Sequence, residues 1–146
     1  MSNQFKNPSA TNAPDAQSRA NILVIEDHDI MRLLIGKALK QDADIVTKRD
    51  GFEAMAWLSG GNLPDLILLD MEMPNLDGSD FLTQIKMSGV FSEIPVLMVS
   101  ATEDLDAIIR AFRMGIWAFM PKPFDPTELK SKVKDILGKT KFVNAA

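Results

Sequence analysis

The chain contains no cysteine and a single histidine, His28. That excludes disulfides and thiolate metal sites, and it leaves no histidine cluster for a structural zinc. No apolar run approaches the roughly 20 residues that a helical membrane span needs. The N-terminus also lacks the basic-then-apolar order of a secretory signal, so the cytoplasm is the expected compartment. A basic stripe is missing too. The net charge is -4, which argues against nonspecific binding to nucleic acid, because nothing is present to displace counterions from phosphates. What remains has the balance of a soluble globular protein: 146 residues, 46% apolar and 25% charged, enough for one domain with a single sizeable core.

Residues 1–20 are Ser, Asn, Ala, Pro, Thr and Gln with scattered charges and little to bury, and they are expected to form a disordered arm. The domain is expected over 21–138, with a short tail over 139–146. Within it, Ile22 to Ile25 is an apolar run ending in Glu26-Asp27. Ile30, Leu33, Leu34 and Ala38 then recur at helical spacing and mark the inward face of a first helix to about Lys40. Ile45 and Val46 form a weak strand. Asp50-Gly51-Phe52-Glu53 resembles a capping box opening a helix through Leu58, which Gly60-Gly61 stops.

Leu66 to Leu69 is an unbroken apolar run, as suits a strand covered on both faces of a parallel sheet. It ends in Asp70, and the turn formers Pro74, Asn75, Asp77 and Gly78 follow, so Asp70 is expected at the mouth of a loop. Such an Asp either caps a turn or carries chemistry. Phe81, Leu82 and Ile85 mark the next helix, and Ile94 to Val99 a strand closing on Ser100. Leu105, Ile108, Ile109 and Phe112 are read as the apolar face of a helix that Gly115 ends. Ile116 to Met120 is a last short strand, and Asp125-Pro126-Thr127-Glu128 opens a final helix ending at Gly138.

Strand then helix, five times, implies an α/β fold: a doubly wound parallel sheet with right-handed crossovers. Five strands point to the flavodoxin-like order 2-1-3-4-5, whose switch point lies between the first and third strands. Glu26, Asp27 and Asp70 would then meet in one crevice. Like charges a few ångströms apart repel by about 4 kcal/mol per pair at an effective dielectric near 20, so the cluster needs a cation or raised pKa values. Mg²⁺, which takes one or two carboxylates and keeps waters and phosphate oxygens, fits that inventory. Ser100 and Lys122 fall on the same edge, and a hydroxyl and an ammonium facing a carboxylate and a metal suit a phosphoryl group.

These landmarks resemble the receiver (CheY-like) domain of two-component response regulators, over about 21–138. The matching stretches are Ile22 through Glu26-Asp27, Asp70 through Gly78, Pro95 through Ser100-Ala101, and Gly115 with Phe119 through Lys122-Pro123-Phe124. The resemblance implies that Asp70 accepts a phosphoryl group from a histidine kinase or a histidine phosphotransfer protein. It implies Mg²⁺, or Mn²⁺ in its place, held by Asp27, Asp70 and the backbone carbonyl of Glu72, with Glu26 acting through water. Ser100 and Lys122 would bind phosphoryl oxygens, Phe119 would turn as the switch aromatic, and the Lys122-Pro123 bond would be cis. Glu26, where many members carry Asp, lengthens one acid by a methylene.

Trp117 stands where many members carry acids, and it is expected either to anchor an interface or to cover a gap between helices. His28 begins a helix leading away from the crevice and is not expected to act; Met71 and Met73 are read as packing or surface loop residues. The expected function is a stand-alone receiver, not a turnover enzyme, that signals by phosphorylation-dependent contact with another protein or with a twin subunit. A phosphorelay intermediate or phosphate sink is the alternative. An aspartate-nucleophile phosphatase of the haloacid dehalogenase type is remote, since Glu72 stands where that family places a second Asp.

Overall fold

The computed structural model describes residues 19–73 and 76–145, so residues 1–18 of the arm expected over 1–20 and the Pro74-Asn75 part of the turn lie outside it. Five strands alternate with five helices: β1 (Ala20–Ile25), α1 (Asp29–Leu39), β2 (Ala43–Lys48), α2 (Gly51–Ser59), β3 (Leu66–Asp70), α3 (Gly78–Met87), β4 (Val96–Ser100), α4 (Leu105–Arg113), β5 (Ala118–Pro121) and α5 (Pro126–Ala145). All strand pairs are parallel, in the order β2-β1-β3-β4-β5, as the alternation predicts. No helix among the described residues is long and apolar enough to cross a membrane.

β3 and β4 are buried along their whole length. Their alternating side chains feed two cores. Leu23, Ile25, Ile67 and Leu69 pack with Ala54, Leu58, Phe81 and Leu82 on the α2–α3 side. Ile22, Val24, Leu66 and Leu68 pack with Ile35, Leu39, Leu129 and Val133 on the α1–α5 side. Each such side chain taken from water contributes about 1.5–3 kcal/mol, so the central strands anchor the fold.

The structure differs from the pattern reading in several places. β1 starts at Ala20, one residue before Asn21, and Arg19 is already part of the fold. Its guanidinium donates to the carbonyls of Lys40, Gln41 and Ala43 at 2.7–2.9 Å, caps the end of α1 and meets Asp44. The core face of α1 is Ile35 and Leu39, while Ile30, Leu33 and Leu34 stand 64%, 65% and 51% exposed. Apolar residues occupy more than half of this helix's positions, so two stripes fit the 3.6-residue repeat and periodicity cannot select between them. The same holds for α4, where Ala111 is buried and Leu105, Ile109 and Phe112 face outward.

β5 starts at Ala118 and not at Ile116, because Gly115, at φ 106°, turns the chain and only at Trp117 does it bond to Val96 of β4. α5 runs through Gly138 to Ala145 and takes up most of the expected tail. Gly138 does not have the positive φ of a helix-ending glycine, and an Asp135–Lys139 ion pair and the Thr140 hydroxyl on the Ile136 carbonyl span it.

Gly78 deserves its place at the start of α3 for a steric reason. A Cβ there would lie 2.5 Å from the Asp70 carbonyl oxygen and 2.6 Å from Met71 Cα, while the Gly78 N–H donates to the Met71 carbonyl at 3.0 Å. The loop therefore folds back tightly against the end of β3. Gly78→Ala should destabilise the protein by about 2 kcal/mol or more, measured by chemical denaturation, whereas Gly89→Ala, which meets nothing within 4 Å, should cost far less.

Candidate functional site

The parallel register pairs Ile25 with Leu69 and Asp70 with Val99. Glu26, one residue past Ile25, thus comes level with Asp70 at the carboxyl edge of the sheet. On the other side Ser100 pairs with Pro121, and the Lys122 N–H donates to the Ser100 carbonyl at 2.9 Å, which starts Lys122 along the same edge. The Lys122-Pro123 bond is cis.

Glu26 and Asp70 are 1% and 4% exposed, an unusual burial for two acids. With Asp27 they form a group whose carboxylate oxygens lie within 4.8 Å of one another. The Lys122 ammonium lies among them, 2.8 Å from Glu26 Oε1 and 3.6 Å from Asp70 Oδ1. It is nearer to Glu26 than to Asp70. The other Glu26 oxygen accepts the His28 N–H at 3.1 Å, and Asp70 Oδ1 accepts the Glu72 N–H at 3.2 Å. One ammonium does not neutralise the cluster. Burial and the charge of Glu26 push the Asp70 carboxyl up to about 7, against the opposing pull of Lys122 and the Glu72 N–H.

The remaining expected residues sit as follows. Ser100 is fully buried, and its hydroxyl oxygen accepts the Thr102 N–H at 3.1 Å. Phe119 is half-buried against the α2–α3 side core, and Trp117 is 41% exposed. Glu72 has an exposed side chain and brings only its backbone to Asp70. His28 caps α1 through Nδ1, which accepts the Met31 N–H. Arg32, which pattern reading missed, donates to the Glu26 carbonyl at 2.9 Å and pairs with Asp29. Its spacing from Glu26 follows from the first turn of α1, but nothing in the residue types marks it.

The candidate metal ligands in this crevice are all carboxylate oxygens, and of the three carboxylates Glu26 and Asp70 share the Lys122 ammonium. That donor set fits Mg²⁺, which prefers hard oxygen ligands and here would offset the repulsion that, with burial, raises the Asp70 pKa.

The family model described as the response regulator receiver domain matches residues 22–134. The chain belongs to this family. Among curated relatives, a protein-glutamate methylesterase/protein-glutamine glutaminase of Caulobacter vibrioides is 35% identical over 88% of the chain, which covers 38% of that protein. A histidine kinase of Formosa agariphila is 32% identical over 88% of the chain, which spans 10% of it. The chemotaxis protein CheY1 of Helicobacter pylori is 29% identical over 80% of the chain and 96% of its own length. The chain therefore spans well under half the length of the first two. A response regulator receiver domain protein from Clostridium thermocellum has a similar structure, with a TM-score of 0.77 at 27% identity over 85% of this chain and 98% of that one. Receiver domains are signalling domains phosphorylated on an aspartate, and they bind Mg²⁺ at their acidic site.

The raised Asp70 pKa has a consequence for stability. The folded receiver binds this proton more tightly than the unfolded chain, so its stability falls as pH rises from about 4 to about 7. A shift of that size corresponds to at most about 4 kcal/mol, and screening at the mouth of the crevice lowers it. Without divalent ions, Asp70→Asn should raise unfolding free energy by about 1–2 kcal/mol at pH 8 and by little at pH 4. Urea titrations at both pH values check this.

Proposed function

We propose that this receiver takes a phosphoryl group on Asp70 from a phosphohistidine of a kinase or phosphotransfer protein and signals through a protein contact that phosphorylation alters. The observation that carries the reading is the buried Asp70 at the end of β3, with Glu26 and Asp27 within 4.8 Å and Lys122 at 3.6 Å. In this mechanism an Asp70 carboxylate oxygen attacks phosphorus, the P–N bond to the donor imidazole breaks, and a P–O bond forms. Glu26, Asp27, Asp70 and the Glu72 carbonyl would hold Mg²⁺, which supplies charge neutralisation at the phosphoryl oxygens. Lys122 pairs with one phosphoryl oxygen, giving up its hold on Glu26. Ser100 turns its hydroxyl to another.

The path outward begins at Ser100. Its Oγ accepts the Thr102 N–H, Thr102 Oγ1 accepts the Asp104 N–H, and the Asp104 carboxylate caps α4 through the N–H groups of Asp106 and Ala107. Drawing the Ser100 hydroxyl toward a phosphoryl group removes the first of these bonds and changes the restraint on the start of α4. A cavity of about 100 Å³ lined by Met71, Met98, Ala111 and Met114 leaves that helix room to shift. Phe119, packed on the same side, would follow it. The exposed Ile30, Leu33 and Leu34 of α1, beside the Glu26-Asp27 edge, offer an apolar face for the phosphodonor.

Incubation with acetyl phosphate and Mg²⁺ should add one phosphoryl group by mass spectrometry. Asp70→Asn, which changes almost no volume, should add none while remaining folded, and chelation of Mg²⁺ should stop the reaction in the wild type. Equal incorporation by the Asn variant would overturn the assignment.

A further inference from the structure

A hollow of about 430 Å³ opens at the amino edge of the sheet, where β1 and β2 start and α1 ends, with α5 along its side. Asp70 stands at the opposite edge. The floor is apolar, made by Ile22, Leu39, Val133 and Leu137, and is continuous with the core on the α1–α5 side. The rim is charged. Lys130 and Asp42 lie 3.9 Å apart there, and the exposed Asp65 is in no ion pair among the described residues. An open apolar hollow with a charged rim has the form of a binding site.

Arg19 selects the chemistry of the occupant. Its guanidinium lines the hollow with its donors already spent: Nε donates to Asp44, Nη1 to the Gln41 carbonyl and Nη2 to those of Lys40 and Ala43, at 2.7–3.2 Å. Four of its five N–H groups are thus engaged. What such a group still offers is a flat cationic face, which attracts an aromatic ring and not a carboxylate or a phosphate. The same bonds fix the point where the preceding chain joins the fold, at the rim itself. Residues 1–18 contain no Leu, Ile or Val and one aromatic, Phe5, which Lys6 follows. Thirteen residues, 6–18, separate Phe5 from Arg19. A linker of that length spans about 20 Å on average, so a hollow beside Arg19 meets Phe5 at an effective concentration of about millimolar.

We propose that this hollow is the docking site of the chain's own N-terminal segment, with the Phe5 ring seated against Val133, Leu137 and the Arg19 guanidinium and the Lys6 ammonium set against Asp65. This occupant replaces the free arm that composition leads one to expect, and it ties the N-terminal segment to α5. The contact is independent of whether Asp70 is the phosphoacceptor.

Methyl NMR of the full chain tests it. In the wild type the Val133 and Leu137 methyls should show cross-relaxation with the Phe5 ring protons, together with ring-current shifts that Phe5→Ala removes. Phe5 lies outside the strands and helices, so the thermal melt of Phe5→Ala should remain cooperative. Lys6→Glu, which sets a carboxylate against Asp65, should reduce both signals. Dilution distinguishes the source of the ring: seating within one molecule gives shifts that do not change with protein concentration, whereas a segment supplied by another copy gives shifts that fade. The proposal is overturned if Phe5→Ala leaves these methyl resonances where they are in the wild type, if no contact with the Phe5 ring appears, if Lys6→Glu changes neither signal, or if the shifts fade on dilution.

Discussion

Two buried carboxylates share one ammonium. Glu26 and Asp70 are held at the sheet edge by strands buried on both sides, and Lys122 bridges them at 2.8 and 3.6 Å. A buried acid pair is costly unless something compensates it, and here the compensation is incomplete, which is why Asp70 is pushed up to about 7. The fold tolerates this because its stability comes from elsewhere, from the two cores on either side of β1, β3 and β4. In the proposed reading this repulsion favours a divalent cation, and the same groups would then face a phosphoryl oxygen.

Backbone features impose that geometry. Parallel pairing brings Glu26 level with Asp70. Gly78 lets the loop after β3 fold back onto the end of that strand, and within the loop the Glu72 N–H donates to the Asp70 carboxylate. On the far side, a ladder of short hydrogen bonds runs from Ser100 through Thr102 to the cap of α4. Ser100 and the cap of α4 are thus joined by about five residues of chain, and under the proposed mechanism a change at the first would reach a helix whose outer face is apolar.

Much of this was legible in the sequence, for a physical reason. Strands buried on both faces read as unbroken apolar runs, so Ile22 to Ile25 and Leu66 to Leu69 announce both their burial and the edge on which Glu26, Asp27 and Asp70 stand. The strand order followed from strict alternation. The faces of α1 and α4 did not read correctly, since helices with apolar residues on most positions have a period but no unique phase: Ile35 and Leu39 point inward, and Ile30, Leu33, Leu34, Leu105, Ile109 and Phe112 outward. Nor could spacing reveal that Lys122 lies nearer Glu26 than Asp70, or that the Ser100 hydroxyl faces its own loop, because side-chain reach and torsion leave no trace in residue order. Gly138 misled because a glycine ends a helix only where the backbone turns left-handed, which it does at Gly115 and not there.

In the proposed reading the Glu26, Asp27 and Asp70 cluster is a divalent-cation site whose repulsion the ion relieves. Thermal unfolding of the wild type and of Asp27→Asn across a Mg²⁺ titration at pH 7.5 tests it most directly. Ligand binding to the folded state stabilises by about 2.7 kcal/mol at a hundredfold excess over Kd. Wild type should therefore gain stability with a single-site dependence on Mg²⁺, and Asp27→Asn should lose most of that gain. Equal stabilisation of both proteins, or none in either, would contradict the account.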